Sequence, residues 1–363
     1  MDIKRNILLN PGPATTTDTV KRAQLVPDIC PREREFGALM RELGIDLLKV
    51  VHANEVEWTT VLFCGSGTIC MDACVSSLIP ADGKLLIVNN GAYSARAAEM
   101  ARAYSVPHID LTFPVDGLPD LAVVERTLDE NPDITAVYTT HQETGTGILN
   151  PVREIGALAH AHNAIMIADT ISTYAMIPFT VDEMNIDVCM SSAQKGIQGM
   201  TGLSFVLARK SVLTAAKSYP VRSYYTNLVM QHTGFEETGE MRFTPPVQTV
   251  YAARRALAEY FAEGEAKKWA RHTRTIDAIH AGLARLGLTE VIPREIQSGL
   301  VVAVEYPQDF DFLRVHDYCY ARGYTIYPGK MQSAATFRLC ALGAIDEADI
   351  AGFFRVFEEA LNA

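Results

Sequence analysis

The chain lacks an excess of positive charge, a paired cysteine motif and an apolar run long enough to cross a bilayer. Its 363 residues carry 32 Lys and Arg against 43 Asp and Glu, a formal net charge of −11. That balance points away from nucleic acid, whose binders present a basic face. A local pocket on an acidic protein can still be positive, so an anionic ligand remains open. The seven cysteines are odd in number and scattered, and none stands in a CxxC pair, which argues against a metal centre or a redox motif. Cys64, Cys70 and Cys74 read as small buried residues of a strand and a helix. This usage fits a reducing cytoplasm. The segment from Met1 to Asn6 is polar and has no apolar core of the kind a secretion signal carries. No apolar run approaches the ~20 residues needed for a membrane span. The expectation is a cytoplasmic protein with neither a nucleic acid nor a membrane as partner. Internal repeats and low-complexity segments are absent too.

What is present is an ordinary globular composition, 48% apolar, on a chain long enough for two domains or one large α/β domain with an appendage. From about residue 57 to 208, apolar strands alternate with helical stretches. Glu57–Cys64, Lys84–Asn89, Ile134–Thr140, Asn163–Asp169, Asp187–Ser192 and Leu203–Ala208 read as strands. They are continuous apolar runs rather than alternating ones, as in a mostly parallel sheet covered on both faces. Residues 210–246 read as a polar, irregular loop region. A long helical region covers Val247 to Leu286, with Gly264 as a candidate break. Strands near Gly299–Glu305, Tyr324–Tyr327 and Thr336–Leu339, with helices near Phe310–Arg322 and Glu347–Leu361, make a small α+β unit. The expected division is 1–250 for an N-terminal arm and a large three-layer domain. Residues 251–363 form the small domain, which begins in the long helix.

The polar residues that end these strands carry the functional signal. One strand stops on Asp169; the next runs into Ser191-Ser192-Ala193-Gln194-Lys195-Gly196. A lysine to take up an aldehyde and a carboxylate to keep a pyridine nitrogen protonated are what pyridoxal phosphate (PLP) chemistry needs. Either residue alone is more often a surface lysine or a helix cap. Gly65-Ser66-Gly67-Thr68 lies between a strand and a helix start, where small residues and hydroxyls cradle a phosphate, although many such turns hold nothing. Tyr93 follows another strand end, either to stack on a cofactor ring or to pack over its helix. His141 reads as a general base or as a hydrogen-bonded structural residue. Leu8-Leu9-Asn10-Pro11-Gly12-Pro13 is either a plain turn or a rigid strip across a site mouth. Arg338, inside a strand between Phe337 and Leu339, is either paired with an internal carboxylate or offered to an anion. Ser66, Thr68, Tyr93, Thr144, Asp169 and Lys195 all fall at carboxyl ends of strands, where open α/β sheets bind ligands.

Taken together, these segments resemble the class-V, fold-type I PLP-dependent aminotransferases. The resemblance runs through Asn10-Pro11-Gly12-Pro13, Gly65–Thr68, Asn90–Arg96, Thr140–Gly147, Ala168-Asp169-Thr170, Ser191–Gly199, Arg242-Phe243-Thr244-Pro245, Tyr327-Pro328-Gly329-Lys330 and Phe337-Arg338. The spacing of 26 positions from Asp169 to Lys195 (195 − 169) fits the family. Lys195-Gly196-Ile197-Gln198-Gly199 and Tyr327–Lys330 are similar to the branch that moves the amino group of 2-aminoethylphosphonate to pyruvate.

The resemblance implies Lys195 and Asp169 as catalytic residues, the lysine holding the cofactor and moving the proton, the carboxylate facing the ring nitrogen. It implies Tyr93 stacked on the ring, Thr144 near the ring hydroxyl, and Ser66, Gly67, Thr68 and Gln194 around the phosphate. Thr244 would reach that phosphate from a second subunit, so a homodimer with shared sites is expected. Arg338 would bind the substrate anion, with Gly12 in the strip over the same pocket. The chain departs from that branch at Gln142 and Gly145, where the family carries Ser and Thr, and at Cys340 and Ala341, where it carries Gly and Asn. These positions bear on the amino donor and leave the cofactor chemistry alone. Another aminophosphonate, or an alanine– or serine–glyoxylate or –pyruvate exchange, is the competing expectation. A desulfurase would need Cys340 as a mobile nucleophile, and a cofactor-free α/β binding protein would show no visible absorbance.

Overall fold

The computed structural model describes residues 3–329 and 335–363; Lys330, the last residue of the Tyr-Pro-Gly-Lys segment, lies outside them. At its centre is a seven-stranded sheet in the order Trp58–Gly65, Gly202–Arg209, Val188–Ser192, Ile165–Asp169, Ile134–Thr140, Lys84–Asn89, His108–Thr112. All its strands run parallel except Gly202–Arg209, which is antiparallel to both neighbours. The apolar runs are continuous because both faces are covered. Leu85 and Ile87 face one core together with Met71, Ala97 and Ala101. Leu86 and Val88, pointing the other way, face a second core together with Met40, Leu43 and Val124.

The edge strand His108–Thr112 and the helix Leu121–Glu130 are not expected from the sequence. The strand alternates polar and apolar residues and is only half buried, as an edge position allows. Residues 210–246 hold two α-helices, Lys210–Ala215 and Leu228–Thr238, and a 3₁₀ turn at Ala216–Ser218, where a loop region was expected. The second is delimited by Asn227, whose side chain accepts from the Met230 amide at 2.8 Å, and by Gly239 in the left-handed region at φ 73°. The regular strand–helix alternation also fails between Asp169 and Val188, which are joined by turns rather than a helix.

Gly264, at φ 82°, separates the helices Val247–Glu263 and Glu265–Arg285. Val247, Val250, Ala253 and Leu257 of the first pack into the core of the large sheet. Ile276, Ile279 and Leu283 of the second pack with Val302, Phe337, Phe353 and Phe357 in the C-terminal core. That core backs a three-stranded sheet ordered Val301–Glu305, Thr336–Cys340, Tyr327–Pro328. The N-terminal strand Ile7–Leu8 pairs in parallel with Tyr324–Thr325, and Ile7 and Leu9 are buried in the same core. The arm then crosses to the large sheet, where the Ala14 amide donates to the Gln194 carbonyl at 2.8 Å. No helix among the described residues is long and apolar enough to cross a membrane.

Candidate active site

The strand order turns back between Lys84–Asn89 and Ile134–Thr140, because the chain first steps outward to His108–Thr112 and then returns to the other side. A crevice at the carboxyl ends of the strands follows from that reversal. A cavity of about 220 Å³ opens there, lined by Gly12, Pro13, Ser66, Gly67, Thr68, Met71, Tyr93, Arg96, Ile171, Gln194, Lys195 and Thr201. Seven residues singled out from the sequence thus share one cavity: Gly12, Ser66, Gly67, Thr68, Tyr93, Gln194 and Lys195.

Lys195 sits on a tight turn after Val188–Ser192. Its amide donates to the Ser192 carbonyl at 3.2 Å, and its own carbonyl accepts from the Gln198 amide at 2.9 Å. The side chain reaches back to the N-terminal arm, where Nζ donates to the Pro11 carbonyl. Gly12 is required beside it: φ is +127°, and a Cβ there would lie 2.5 Å from Lys195 Nζ. Of the two expectations for the Pro-Gly-Pro segment, the strip over a site mouth is the one observed.

Asp169 ends the neighbouring strand and is 3% exposed. Its Oδ1 accepts from the Ile171 amide at 2.9 Å and its Oδ2 from the Tyr138 hydroxyl at 3.3 Å. Burial raises the carboxyl from 3.8 to about 6, against the lowering effect of those hydrogen bonds and of Lys195; Glu143 adds to the rise. A buried carboxylate of this kind is costly until a positive group faces it.

Ser66-Gly67-Thr68 opens the helix Thr68–Ser77, whose cap residue, Gly67, has no side chain to occupy the first amides. That leaves an anion-favouring helix start. A Cβ on Gly67 would meet Ile171 at 2.9 Å. Arg96 donates to Thr68 Oγ1 at 3.2 Å and its Cζ lies 5.1 Å from the centre of the Tyr93 ring. The Gln194 Oε1 atom is buried with no hydrogen-bond partner among the described residues.

Arg338 is 2% exposed in the C-terminal sheet. Its Nη1 donates to the Thr144 carbonyl at 2.9 Å, and its Nε and Nη2 to the Pro328 carbonyl at 3.2 and 3.0 Å. Among the described residues it forms no ion pair, so the alternative of an internal carboxylate partner is not realised. Asp169, Thr144 and Arg338 lie outside the cavity lining, and Thr244 is exposed on a loop and does not join the site.

His141 is structural in its contacts. Buried, it shares a hydrogen bond with Thr173 Oγ1 at 3.0 Å, stands edge-on to Phe179, and is lowered by burial to about 4, so it is neutral. Cys340 ends the strand Thr336–Cys340, fully buried, its thiol pushed up to about 12. That environment opposes a thiolate nucleophile. Gln142 gives Nε2 to Ser298 Oγ at 2.9 Å.

Sequence reasoning assigned no role to Arg96, Tyr138 or Glu143. Glu143 is buried and accepts from the Tyr93 and Ser94 amides at 3.1 and 2.7 Å and from the Ser94 hydroxyl at 2.6 Å. It thereby caps the helix Ala92–Ala103 that carries Tyr93. Arg96 was findable, as the cation one helical turn after Tyr93. Tyr138, in mid-strand, carried no signal of its own.

The chain matches the family described as Aminotransferase class-V over residues 32–337. It is 35% identical to the 2-aminoethylphosphonate–pyruvate transaminase of Lactiplantibacillus plantarum over 348 residues, 95% of this chain and 94% of that one. It is 35% identical to the protein of the same name from Bacteroides fragilis, over 98% of this chain and 99% of that one. Among solved structures, the alanine–glyoxylate aminotransferase of Nostoc sp. superposes with a TM-score of 0.91 at 22% identity, covering 99% of this chain and 96% of that one. The fold is that of the fold-type I enzymes, and the chain belongs to the class-V aminotransferases, which work with pyridoxal phosphate.

Proposed function

We propose that this aminotransferase moves the amino group of 2-aminoethylphosphonate to pyruvate, giving phosphonoacetaldehyde and alanine. The observation that carries the reading is Arg338. A buried guanidinium has five N–H donors. Here three of them hold backbone carbonyls, and no carboxylate among the described residues neutralises the charge. A phosphonate or a carboxylate supplies that charge in a planar, bidentate fashion. The names of full-length relatives support the same donor and acceptor.

The residues present fit pyridoxal phosphate. Ser66, Gly67 and Thr68 at a helix start, with Gln194 and Arg96, suit a phosphate. Tyr93 suits the ring face, Thr144 the ring hydroxyl, Asp169 a protonated ring nitrogen, and Lys195 the aldehyde. When bound, the cofactor supplies that aldehyde and a ring able to hold an electron pair. Asp169, costly in its buried site, gains a positive partner. Lys195 Nζ, steered by the Pro11 carbonyl, would take a proton from the donor's amine-bearing carbon and deliver it to the carbon that had been the cofactor's aldehyde, and with pyruvate the transfer would run in reverse. Arg338 orients first the phosphonate, then the carboxylate of pyruvate, and the arm around Gly12 keeps water off the lysine.

The working form is proposed to be a cytoplasmic homodimer. Support comes from the exposed surface beside Thr244, where Tyr224 and Tyr225 are 74% and 45% exposed and Tyr225 stacks on Phe243 at 4.5 Å. A second copy covering that surface brings Thr244 to the phosphate. The large and small domains, expected to divide near residue 250, are proposed to divide instead at Gly264, because the helix before it, Val247–Glu263, packs into the core of the large sheet.

One observation favours a different donor. Gln142 turns its amide nitrogen to Ser298, and Cys340 is buried in a strand, so neither replaces the hydroxyl and amide groups of the branch. Alanine formation from pyruvate, measured with 2-aminoethylphosphonate, serine and other aminophosphonates in parallel, decides between them. Turnover with 2-aminoethylphosphonate at least tenfold above the other donors is expected. Serine as the better donor overturns the phosphonate reading while leaving the transaminase.

A further inference from the structure

Behind the lysine turn lies a residue that the cofactor chemistry does not use. Lys268, on the helix Glu265–Arg285, is 4% exposed and its Nζ donates to the carbonyl of Gly196. Among the described residues it has no carboxylate within ion-pair distance. Its Nζ lies 5.0 Å from the centre of the Tyr260 ring, and the nearby charges, Arg271 and Glu263, are paired with each other. A buried amine with no carboxylate bonded to it is expensive, and an apolar side chain would fill the same space at less cost. What the amine does there is hold one carbonyl.

That carbonyl is a sensitive place. Gly196 directly follows Lys195, and on its other side a Cβ would lie 2.0 Å from the Tyr174 carbonyl oxygen, so the turn has no slack toward Tyr174. The next residues close it: the Gln198 amide reaches the Lys195 carbonyl at 2.9 Å and the Gly199 amide reaches the Ala193 carbonyl at 2.7 Å. Lys268 is thus the far jaw of a clamp on the peptide that carries Lys195. Its helix is rooted through Ile276, Ile279 and Leu283 in the C-terminal core, the same body that holds Arg338.

We infer that Lys268 is a positioning residue for the reaction: by holding the Gly196 carbonyl it fixes the turn that aims Lys195, and it ties that turn to the body carrying the anion-binding arginine. This rests on Lys195 being the cofactor lysine. Burial, with help from Arg271 and against Glu263, lowers the Lys268 ammonium to about 7, in keeping with a residue that costs the fold more than it returns. A lysine lowered in the folded state below its unfolded value takes stability away at neutral pH.

The test is Lys268→Met, with Lys268→Gln, one atom shorter and still polar, as the second variant. In the apoprotein, exchange of the Gln198 and Gly199 amides should speed up by tenfold or more, while the melting temperature stays within a few degrees of the unchanged protein or rises. In the loaded enzyme kcat should fall roughly ten- to hundredfold, as a small misplacement of a reacting group does, with KM for the amino donor within about twofold. Unchanged exchange with unchanged kcat overturns the inference. So does a collapse of melting temperature with exchange accelerated equally across the whole sheet, since that marks a filler of the core. If Lys268→Met does not fold, the same exchange and kcat readings on Lys268→Gln decide. The exchange reading needs no cofactor, so faster exchange with unaltered kcat would implicate the assignment of Lys195 and contradict positioning in the reaction.

Discussion

Replacing Asp169 by Asn should make the apoprotein more stable and the enzyme inactive. The carboxyl is raised from 3.8 to about 6 in the folded chain, chiefly by burial. At about 1.4 kcal/mol for each tenfold in proton affinity, that costs roughly 3 kcal/mol above pH 6. The sign follows from proton counting. Between about pH 4 and 6 the folded chain holds a proton that the unfolded chain has released, so stability falls as pH rises through that window and stays low above it. Asparagine keeps the geometry: its oxygen accepts from the Ile171 amide and its NH₂ faces the Tyr138 hydroxyl, the two partners Asp169 has now. Urea unfolding of the apoprotein at fixed concentration should give the Asn variant about 3 kcal/mol at pH 8 and about half that at pH 5. Turnover of the loaded variant should fall by about 10² or more, since an amide cannot hold a ring nitrogen protonated. An Asn variant less stable than the parent at pH 8, or a gain that does not change with pH, would refute the reasoning.

Two further substitutions probe the substrate side. Arg338→Gln removes the charge but keeps a donor; KM for both amino donor and pyruvate should rise by about a hundredfold, on the scale of ~2–5 kcal/mol for a buried charged contact, and a change confined to one substrate would argue against a shared anion site. Gly12→Ala places a methyl 2.5 Å from Lys195 Nζ at a backbone angle of +127°; kcat should drop at least tenfold while the far-ultraviolet circular dichroism stays the same, and full activity would mean that the arm does not lie over the lysine.

Much of the fold was legible because period and punctuation agreed. Lys84–Asn89 and Ile134–Thr140 have the bounds read from their apolar runs, since strands buried on both faces leave no ambiguity of register. His108–Thr112 was illegible for the opposite reason: an edge strand needs only half a hydrophobic face, and five alternating residues resemble a loop. The helix Leu228–Thr238 was hidden because its apolar residues do not gather on one face, although Asn227 and Gly239 mark its ends. In the site, residues at strand ends announced themselves by type and place. Glu143 and Lys268 did not, because what matters about them is which distant backbone they reach: the Tyr93 amide, 50 positions away, and the Gly196 carbonyl, 72 away. Arg338 was visible as an anomaly in an apolar strand, yet its two carbonyl anchors, Thr144 and Pro328, come from segments that only the fold brings together.

The central assignment is that Lys195 carries the cofactor, and one measurement addresses it without relying on turnover. Borohydride reduction of the loaded enzyme makes the bond between lysine and cofactor permanent, and peptide mass spectrometry then locates it. The added mass is expected on the peptide containing Lys195 and nowhere else, and Lys195→Ala should take up none. A label on Lys268 or on any other lysine, or a Lys195→Ala protein that still acquires it, would contradict the assignment.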